Sequence, residues 1–148
     1  MNAGWMIPFI IVGGALQSFG AAMNGQLNKH VVNPWLASAI SFALITFFFV
    51  GASLIHPHPL PTQKDLAELP WWAVVGGLVG AVQVYAGLTL VNKVGAGPFV
   101  GFTVTAALIT SLLIDHFGWF RMQPHPLNAG RIIWGLLLID GITLVAKF

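Results

Sequence analysis

The chain has 148 residues, of which 57% are hydrophobic and only 7% are charged, and its net charge is +2. Soluble domains carry about 25% charged residues, and long helices that are apolar on every side would leave too little polar surface to keep such a fold in solution. The chain contains no cysteine, which excludes disulfides, cysteine zinc sites and thiol nucleophiles. No basic patch with interleaved aromatic residues supports nucleic acid as a partner. We therefore predict an all-α integral membrane protein.

Five apolar stretches follow one another, and each is long enough to cross the ~30 Å hydrocarbon core of a bilayer as a helix. Proline stands near the start of the second, third and fourth stretches, where its missing N–H breaks no helical hydrogen bond. No Lys or Arg precedes the first stretch, so we expect a retained helix and not a secretion signal. We predict a single five-span transmembrane domain over residues 1–148, with spans at 5–27, 35–55, 71–91, 98–115 and 132–146.

The basic residues divide equally between the two sides of the membrane. Five spans put the N-terminus and the loops 56–70 and 116–131 on one side, face A, and the other loops with the C-terminus on face B. Lys64, Arg121 and Arg131 lie on face A, and Lys29, Lys93 and Lys147 lie on face B. The side richer in Lys and Arg normally faces the cytoplasm. The tie therefore predicts insertion in both orientations and head-to-tail pairing of two copies.

Small and amide residues recur at helical spacing in the first and third spans. The first span carries Gly13, Gln17, Gly20 and Asn24, and the third carries Gly76, Gly80, Gln83 and Gly87. Steps of three and four place each set on one helical face. Such a face either packs helices closely with amide hydrogen bonds or lines a polar cavity at the midplane, where transporter substrates commonly bind. The residues themselves leave both interpretations open.

Two acids need an explanation. Asp140 lies in the middle of the fifth span, where an aspartate costs about 2.5–3.5 kcal/mol on insertion scales. It is a candidate for proton coupling, or it is a protonated structural residue bonded to Thr143 or a glutamine. Asp115 ends the fourth span on face A, and we expect it to pair structurally with Arg121, Arg131 or His116.

Other chemistry has weak support. His56, His58 and His125 share face A and could in principle hold a metal, but proline-stiffened loops explain these histidines equally well. The glycine-rich run at 95–101 lacks the spacing and the preceding strand of a nucleotide loop. No catalytic constellation lies in a plausible aqueous pocket. We expect no cofactor, no metal and no enzymatic activity.

Several stretches carry a family resemblance. They are Gln17-x6-Asn24-Gly-Gln-Leu, Asn33-Pro34-Trp-Leu-Ala-Ser-Ala-Ile-Ser-Phe42, Pro70-Trp-Trp with Gly76-Gly77-x2-Gly80-Ala81, and Ser111-Leu-Leu-Ile-Asp115-His-Phe-Gly118. Through them, nearly the whole chain resembles the YdcZ-like family of small bacterial inner-membrane proteins, within the drug/metabolite transporter superfamily. The resemblance implies a five-helix half-transporter that forms a ten-helix antiparallel dimer with inverted-repeat architecture, or that occurs in pairs and fusions of opposite orientation. Ala107 and Asp140 depart from the family pattern, so the resemblance gives Asp140 no role.

We therefore expect a dual-topology antiparallel homodimer in the inner membrane that exports a small organic or cationic metabolite by alternating access. Its partners would be the lipid bilayer, a second copy and a small-molecule or ion substrate. We assign substrate binding to Gln17, Asn24, Gln83 and Tyr85, and proton coupling to Asp140. Gly13, Gly20, Gly76, Gly80 and Asp115 are assigned to structure and interface.

Two other classes stay open. A passive channel would need a continuous polar stripe, but the second and fourth spans offer mainly Ser41, Thr46, Thr103 and Thr110. A small structural or regulatory membrane subunit would explain the lack of strong motifs, and it would require a different protein as its partner.

The equal division of charge predicts dual topology, which the cysteine-free background makes easy to test. Single cysteines placed in the 56–69 loop and near Lys93 should both react partially with an impermeant thiol reagent in intact cells. Adding two or three lysines to one loop should then direct that loop to the cytoplasm, because the present bias is near zero. Complete labelling of one face together with none of the other would contradict dual topology.

Overall fold

The computed structural model describes residues 3–147, and the regular structure in this range is helical. Five long helices of 19 to 26 residues are apolar enough to cross a membrane, and at about 1.5 Å per residue they extend roughly 29–39 Å. They are α1 (Met6–Val31), α2 (Pro34–Ile55), α4 (Trp71–Val94), α5 (Ala96–Phe117) and α6 (Ala129–Lys147), and a short helix α3 (Gln63–Ala67) lies between α2 and α4. The all-α class and the five predicted spans are therefore confirmed.

The helices extend beyond the predicted spans at several ends. Helix α1 continues four residues past position 27 to Val31, and it is capped by Val32, whose φ of 59° is left-handed. Helix α6 begins at Ala129, three residues before the predicted start. Hydropathy marks where the chain crosses the hydrocarbon, whereas backbone hydrogen bonding continues into the headgroup region. The polar residues at the end of α1 are thus helical, and among them Asn28 bonds to α4.

Local hydrogen bonds set the starts of α2 and α3. The Asn33 side chain accepts hydrogen bonds from the backbone N–H groups of Trp35 and Leu36, at 3.0 and 3.2 Å, and Pro34 occupies the first helical position. Only Val32 and Asn33 separate α1 from α2. At α3, the Thr62 side chain and the Thr62 backbone N–H both donate to the Asp65 carboxyl group. These bonds lower its pKa, and the side-chain bond has the larger effect.

The chain forms two compact units, the first up to Lys93 and the second from Val94 onward. A single domain over residues 1–148 therefore stays a prediction. In the first unit, the buried residues gather in the face B halves of α1, α2 and α4, at Gly25, Ala37, Gly87, Leu88 and Val91. Residues 4–17, 43–50 and 73–80, in the face A halves of the same helices, are exposed.

Glycine at position 25 allows α1 and α4 to touch. A methyl group on Gly25 would overlap Cγ1 of Val91 and would lie 2.9 Å from Nδ2 of Asn92. The backbone carbonyl of Gly25 also accepts a hydrogen bond from Asn92 Nδ2 at 2.6 Å. The two helices are thus in direct contact at this point, and a larger residue would separate them.

The second unit is a hairpin of α5 and α6. Phe99 and Thr105 of α5 and Gly135 and Ile142 of α6 are buried. A methyl group on Gly101 would overlap Cδ1 of Ile142, so this glycine marks the closest approach near the face B end. The connecting loop folds back on α5, because the backbone N–H of His125 donates to the Asp115 carbonyl at 2.7 Å.

We predict that Gly25→Ala lowers the free energy of unfolding by about 1–3 kcal/mol, the usual range for an added methyl group in a filled contact. The comparison variant is Gly51→Ala in α2, where a methyl group would meet nothing within 4 Å and where alanine favours the helix. Reversible unfolding of detergent-purified protein measures both. Equal stability of the two variants would contradict the close contact between α1 and α4.

Candidate functional site

A group of polar side chains links the three helices of the first unit at their face B ends. We call Asn24, Asn28, Ser41 and Asn92 the amide cluster. Ser41 Oγ of α2 donates to Asn24 Oδ1 of α1 at 2.7 Å. Asn28 Nδ2 of α1 donates to the Leu88 carbonyl of α4 at 3.0 Å, and Asn92 completes the set through its bond to Gly25. Each helix is thus tied to a neighbour by a hydrogen bond as well as by apolar packing.

The spacing of α1 explains why these groups meet. Residues 24 and 25 both neighbour residue 28 on the helix surface, because they precede it by four and three positions. Gly25 brings the α4 backbone close, and the amides on either side of it then reach partners on α2 and α4. Hydrogen bonding of this kind is what allows buried polar groups in a folded protein.

One hydrogen-bond acceptor in the amide cluster has no partner among the described residues. Asn28 Oδ1 is buried and has no hydrogen-bond partner among residues 3–147. The orientation of the amide is set by chemistry: the Leu88 carbonyl can only accept, so the NH₂ group must point toward it. A buried acceptor without a partner costs about 1–3 kcal/mol. Its chemistry calls for a donor, such as an N–H or O–H group of a bound solute.

An aromatic pair connects α2 and α4 in the same unit. The ring centroids of Trp35 and Tyr85 are 4.8 Å apart, with an angle of 34° between the ring planes. Trp35 is exposed and Tyr85 is half-buried. The Tyr85 backbone carbonyl accepts from Thr89 Oγ1 at 2.9 Å. The negative face of an indole or phenol ring attracts cations, so this pair can contact a positively charged solute.

The four predicted substrate-binding residues fall into two groups. Asn24 belongs to the amide cluster, and Tyr85 forms the aromatic pair. Gln17 and Gln83 are exposed, and neither has a hydrogen-bond partner within the described part of the chain. The structure therefore brings two of the four into the contact region of one chain, and the common substrate role of all four stays a prediction.

Asp140 is exposed on α6. It lies five positions after buried Gly135 and two before buried Ile142, which places it away from the face that packs on α5. The expected partner Thr143 donates instead to the Ile139 carbonyl at 2.7 Å. Within residues 3–147 the Asp140 carboxyl group has no hydrogen-bond or ion-pair partner. A carboxyl group at this depth needs protein or water against it.

The predicted interface glycines have empty space above them in the described chain. A methyl group at Gly13, Gly20, Gly76 or Gly80 would meet nothing within 4 Å. Gly20 is half-buried and the other three are exposed. Their faces are shaped for close helix contact, and no helix of the described chain fills the space over them.

At the face A end of the second unit, Asp115 lies beside Arg131. The Asp115 Oδ2 to Arg131 Nη1 distance is 3.5 Å, and both side chains are about one-third exposed. His116, another predicted partner, accepts instead from the Leu127 backbone N–H at 3.2 Å. Among the described residues, no group of three or more histidine or acidic side chains could hold a metal ion.

Asn28, Asn92 and Trp35 are site residues that sequence reasoning missed. Asn28 continues the steps of Gly13, Gln17, Gly20 and Asn24 by one further turn, and this periodicity could have identified it. Asn28 lies just beyond the predicted end of the first span at residue 27, next to Lys29. Trp35 lies near the start of the second span, and its ring contact with Tyr85 depends on a tertiary arrangement that no local pattern encodes.

Comparison with known proteins supplies the family. A family model described as "Putative inner membrane exporter, YdcZ" matches residues 5–144. The chain is 33% identical over 84 residues to the inner membrane protein YdcZ of Escherichia coli strain K12, in an alignment that covers 55% of this chain and 54% of that protein. The matched part thus spans about half the length of this curated relative. No solved structure matches significantly. Because the family model covers nearly the entire chain, the protein belongs to the YdcZ family of multi-pass inner-membrane proteins.

Proposed function

We propose that the protein exports a small organic solute across the inner membrane by alternating access, as an antiparallel homodimer. The observation that carries this proposal is the exposure of Gln17, Gln83 and Asp140 near the middle of three different spans, without partners in the described chain. Amides and carboxyl groups at this depth are unfavourable against lipid. They are accounted for if a second copy covers them and a polar cavity forms between the two copies.

The number of spans and their charges support the antiparallel arrangement. One chain has an odd number of spans and equal numbers of basic residues on both faces, so it lacks a preferred orientation. Two oppositely inserted copies make the inverted repeat that transporters of this type use to expose one site to either side in turn. The open glycine faces of α1 and α4 allow the second copy to approach at backbone distance.

The polar groups of the first unit suggest the solute class. Asn28 Oδ1 is a buried acceptor that calls for a hydrogen-bond donor, and the Trp35–Tyr85 pair offers aromatic faces suited to a cation. An organic ammonium ion supplies both a donor and a positive charge. We therefore propose small amines or organic cations as substrates, with Asn28 and Trp35 added to Gln17, Asn24, Gln83 and Tyr85.

Asp140 gives the proposed transporter a means of proton coupling. Its carboxyl group can bind either a proton or a cationic solute. Competition between the two would couple the outward movement of the solute to the inward movement of protons. In an antiparallel pair each copy contributes one such carboxyl group at a similar depth.

We expect Asp140→Asn to preserve dimer assembly and to reduce proton-driven transport of an amine to the rate of protein-free liposomes. Asparagine keeps the shape and hydrogen-bonding capacity but cannot exchange a proton. Asp65→Asn, outside the spans, makes the same chemical change as a control and should transport normally. Reconstituted protein under an imposed pH gradient provides the measurement. If Asp140→Asn transported the amine at the wild-type rate, the Asp140 carboxyl group would have a structural role and no role in proton coupling.

We expect Asn28→Leu to remove the thermal stabilisation that amines give to the purified protein. The change eliminates one hydrogen bond, worth about 0.5–1.5 kcal/mol, together with the unpaired acceptor, whose burial costs about 1–3 kcal/mol. The free energy of unfolding should therefore not fall. Asn92→Leu is the matched control, because it removes an amide that is already engaged with Gly25. Asn92→Leu should lower the stability of the protein, but an amine should still raise its melting temperature. If both variants keep that shift, Asn28 has no part in binding the solute.

A further inference from the structure

The loop between α5 and α6 forms an open pocket on face A that the transport proposal does not use. Its volume is about 460 Å³, and we call it the guanidinium pocket. It is lined by Asp115, Arg121, Met122, Gln123, His125 and Arg131. These residues all belong to the second unit.

Backbone contacts hold this loop in shape. The His125 N–H donates to the Asp115 carbonyl at 2.7 Å, and Arg131 Nη1 donates to the His125 carbonyl at 3.1 Å. Phe120 and Arg121 adopt φ values of 58° and 62°. This left-handed backbone is unfavourable for residues other than glycine, and such conformations are kept where the surroundings impose them, often at binding sites. Arg121 lines the pocket with this backbone conformation.

The charges in the pocket do not balance. Arg121 and Arg131 bring two positive charges, and Asp115 brings one negative charge. Arg131 shares Nη1 between Asp115 and His125, which leaves its other N–H donors directed elsewhere. Arg121 has no hydrogen-bond or ion-pair partner within residues 3–147. The pocket thus has one excess positive charge and several guanidinium donors, which suits an oxyanion with a single negative charge.

The surroundings indicate where that anion comes from. Phe117, Trp119, Phe120 and Met122 lie beside the pocket, and each is at least half exposed. The rings of Phe117 and Trp119 stack with centroids 5.4 Å apart. Exposed aromatic side chains at the end of a span lie at the level of the lipid headgroups. A phosphate at this depth belongs to a phospholipid, with its acyl chains against these apolar side chains.

We propose that the guanidinium pocket binds the phosphodiester group of a membrane phospholipid. Arg121 and Arg131 hold two of the phosphate oxygens, and the nearby Asp115 carboxylate disfavours the more highly charged free phosphate. Binding here would tie the loop and the face A end of the α5–α6 hairpin to the plane of lipid phosphates. The proposal is independent of solute transport and needs only the folded second unit in the full chain.

The test titrates detergent-purified protein with three additives: phosphatidylglycerol, diacylglycerol with the same acyl chains, and inorganic phosphate. The melting temperature and native mass spectrometry report binding. Phosphatidylglycerol should stabilise the protein, and the other two should not at the same concentration. Stabilisation by diacylglycerol equal to that by the phospholipid would overturn the proposal, and so would equal stabilisation by inorganic phosphate.

Substitutions of single residues test whether phosphatidylglycerol binds at the guanidinium pocket. Arg121→Gln should weaken phosphatidylglycerol binding about tenfold, because a charge-assisted contact is lost. It should leave the melting temperature in detergent alone unchanged, since Arg121 has no partner in the described chain. Arg121→Lys should bind with intermediate affinity, as it keeps the charge but loses the planar fork. Lys64→Gln removes an exposed charge from the other face A loop and should bind like the wild type. Wild-type affinity for Arg121→Gln would exclude the pocket as the lipid site.

Discussion

The first unit depends on the contact between Gly25 of α1 and the Val91–Asn92 segment of α4. In a bilayer the hydrophobic effect does not draw helices together, so close packing and interhelical hydrogen bonds must do so. Gly25 provides both, since the absence of a side chain admits Val91 and its carbonyl accepts from Asn92. The bonds of Asn28 to Leu88 and of Asn24 to Ser41 follow from this approach. The same contact thus produces the packed end of the unit and its unpaired acceptor.

Polar residues in the chain fall into two physical classes. Those at the face B ends of α1, α2 and α4 are largely satisfied by neighbouring helices, and they hold the first unit together. Gln17, Gln83 and Asp140 lie deeper in their spans and have no partners in the described chain. A protein stabilises its own fold with groups of the first kind, and groups of the second kind remain available to a solute, a proton or another copy.

Much of the architecture could be predicted from the sequence. Long apolar stretches with proline at their starts leave few alternatives to helices, because a bilayer cannot hydrogen-bond an exposed backbone. Asp115 was expected to have a basic neighbour, and the structure places Arg131 there among the three candidates. The choice among them depends on how the loop folds back through His125, a tertiary bond with no local signal. The site was harder to predict, since a hydropathy boundary at residue 27 separated Asn28 from the series to which it belongs.

The turn between α1 and α2 has a consequence for how the protein is made. With only Val32 and Asn33 outside the helices, the two segments have almost no free chain between them. We therefore expect them to enter the bilayer together as a helical hairpin, with the Asn33 cap at its tip. Lys29 and His30 lie in the last turn of α1, so an orientation that places this turn on the far side requires both to cross the membrane with it. If the chain inserts both ways, as its charges predict, the energy barrier for that crossing would set the ratio of the two orientations.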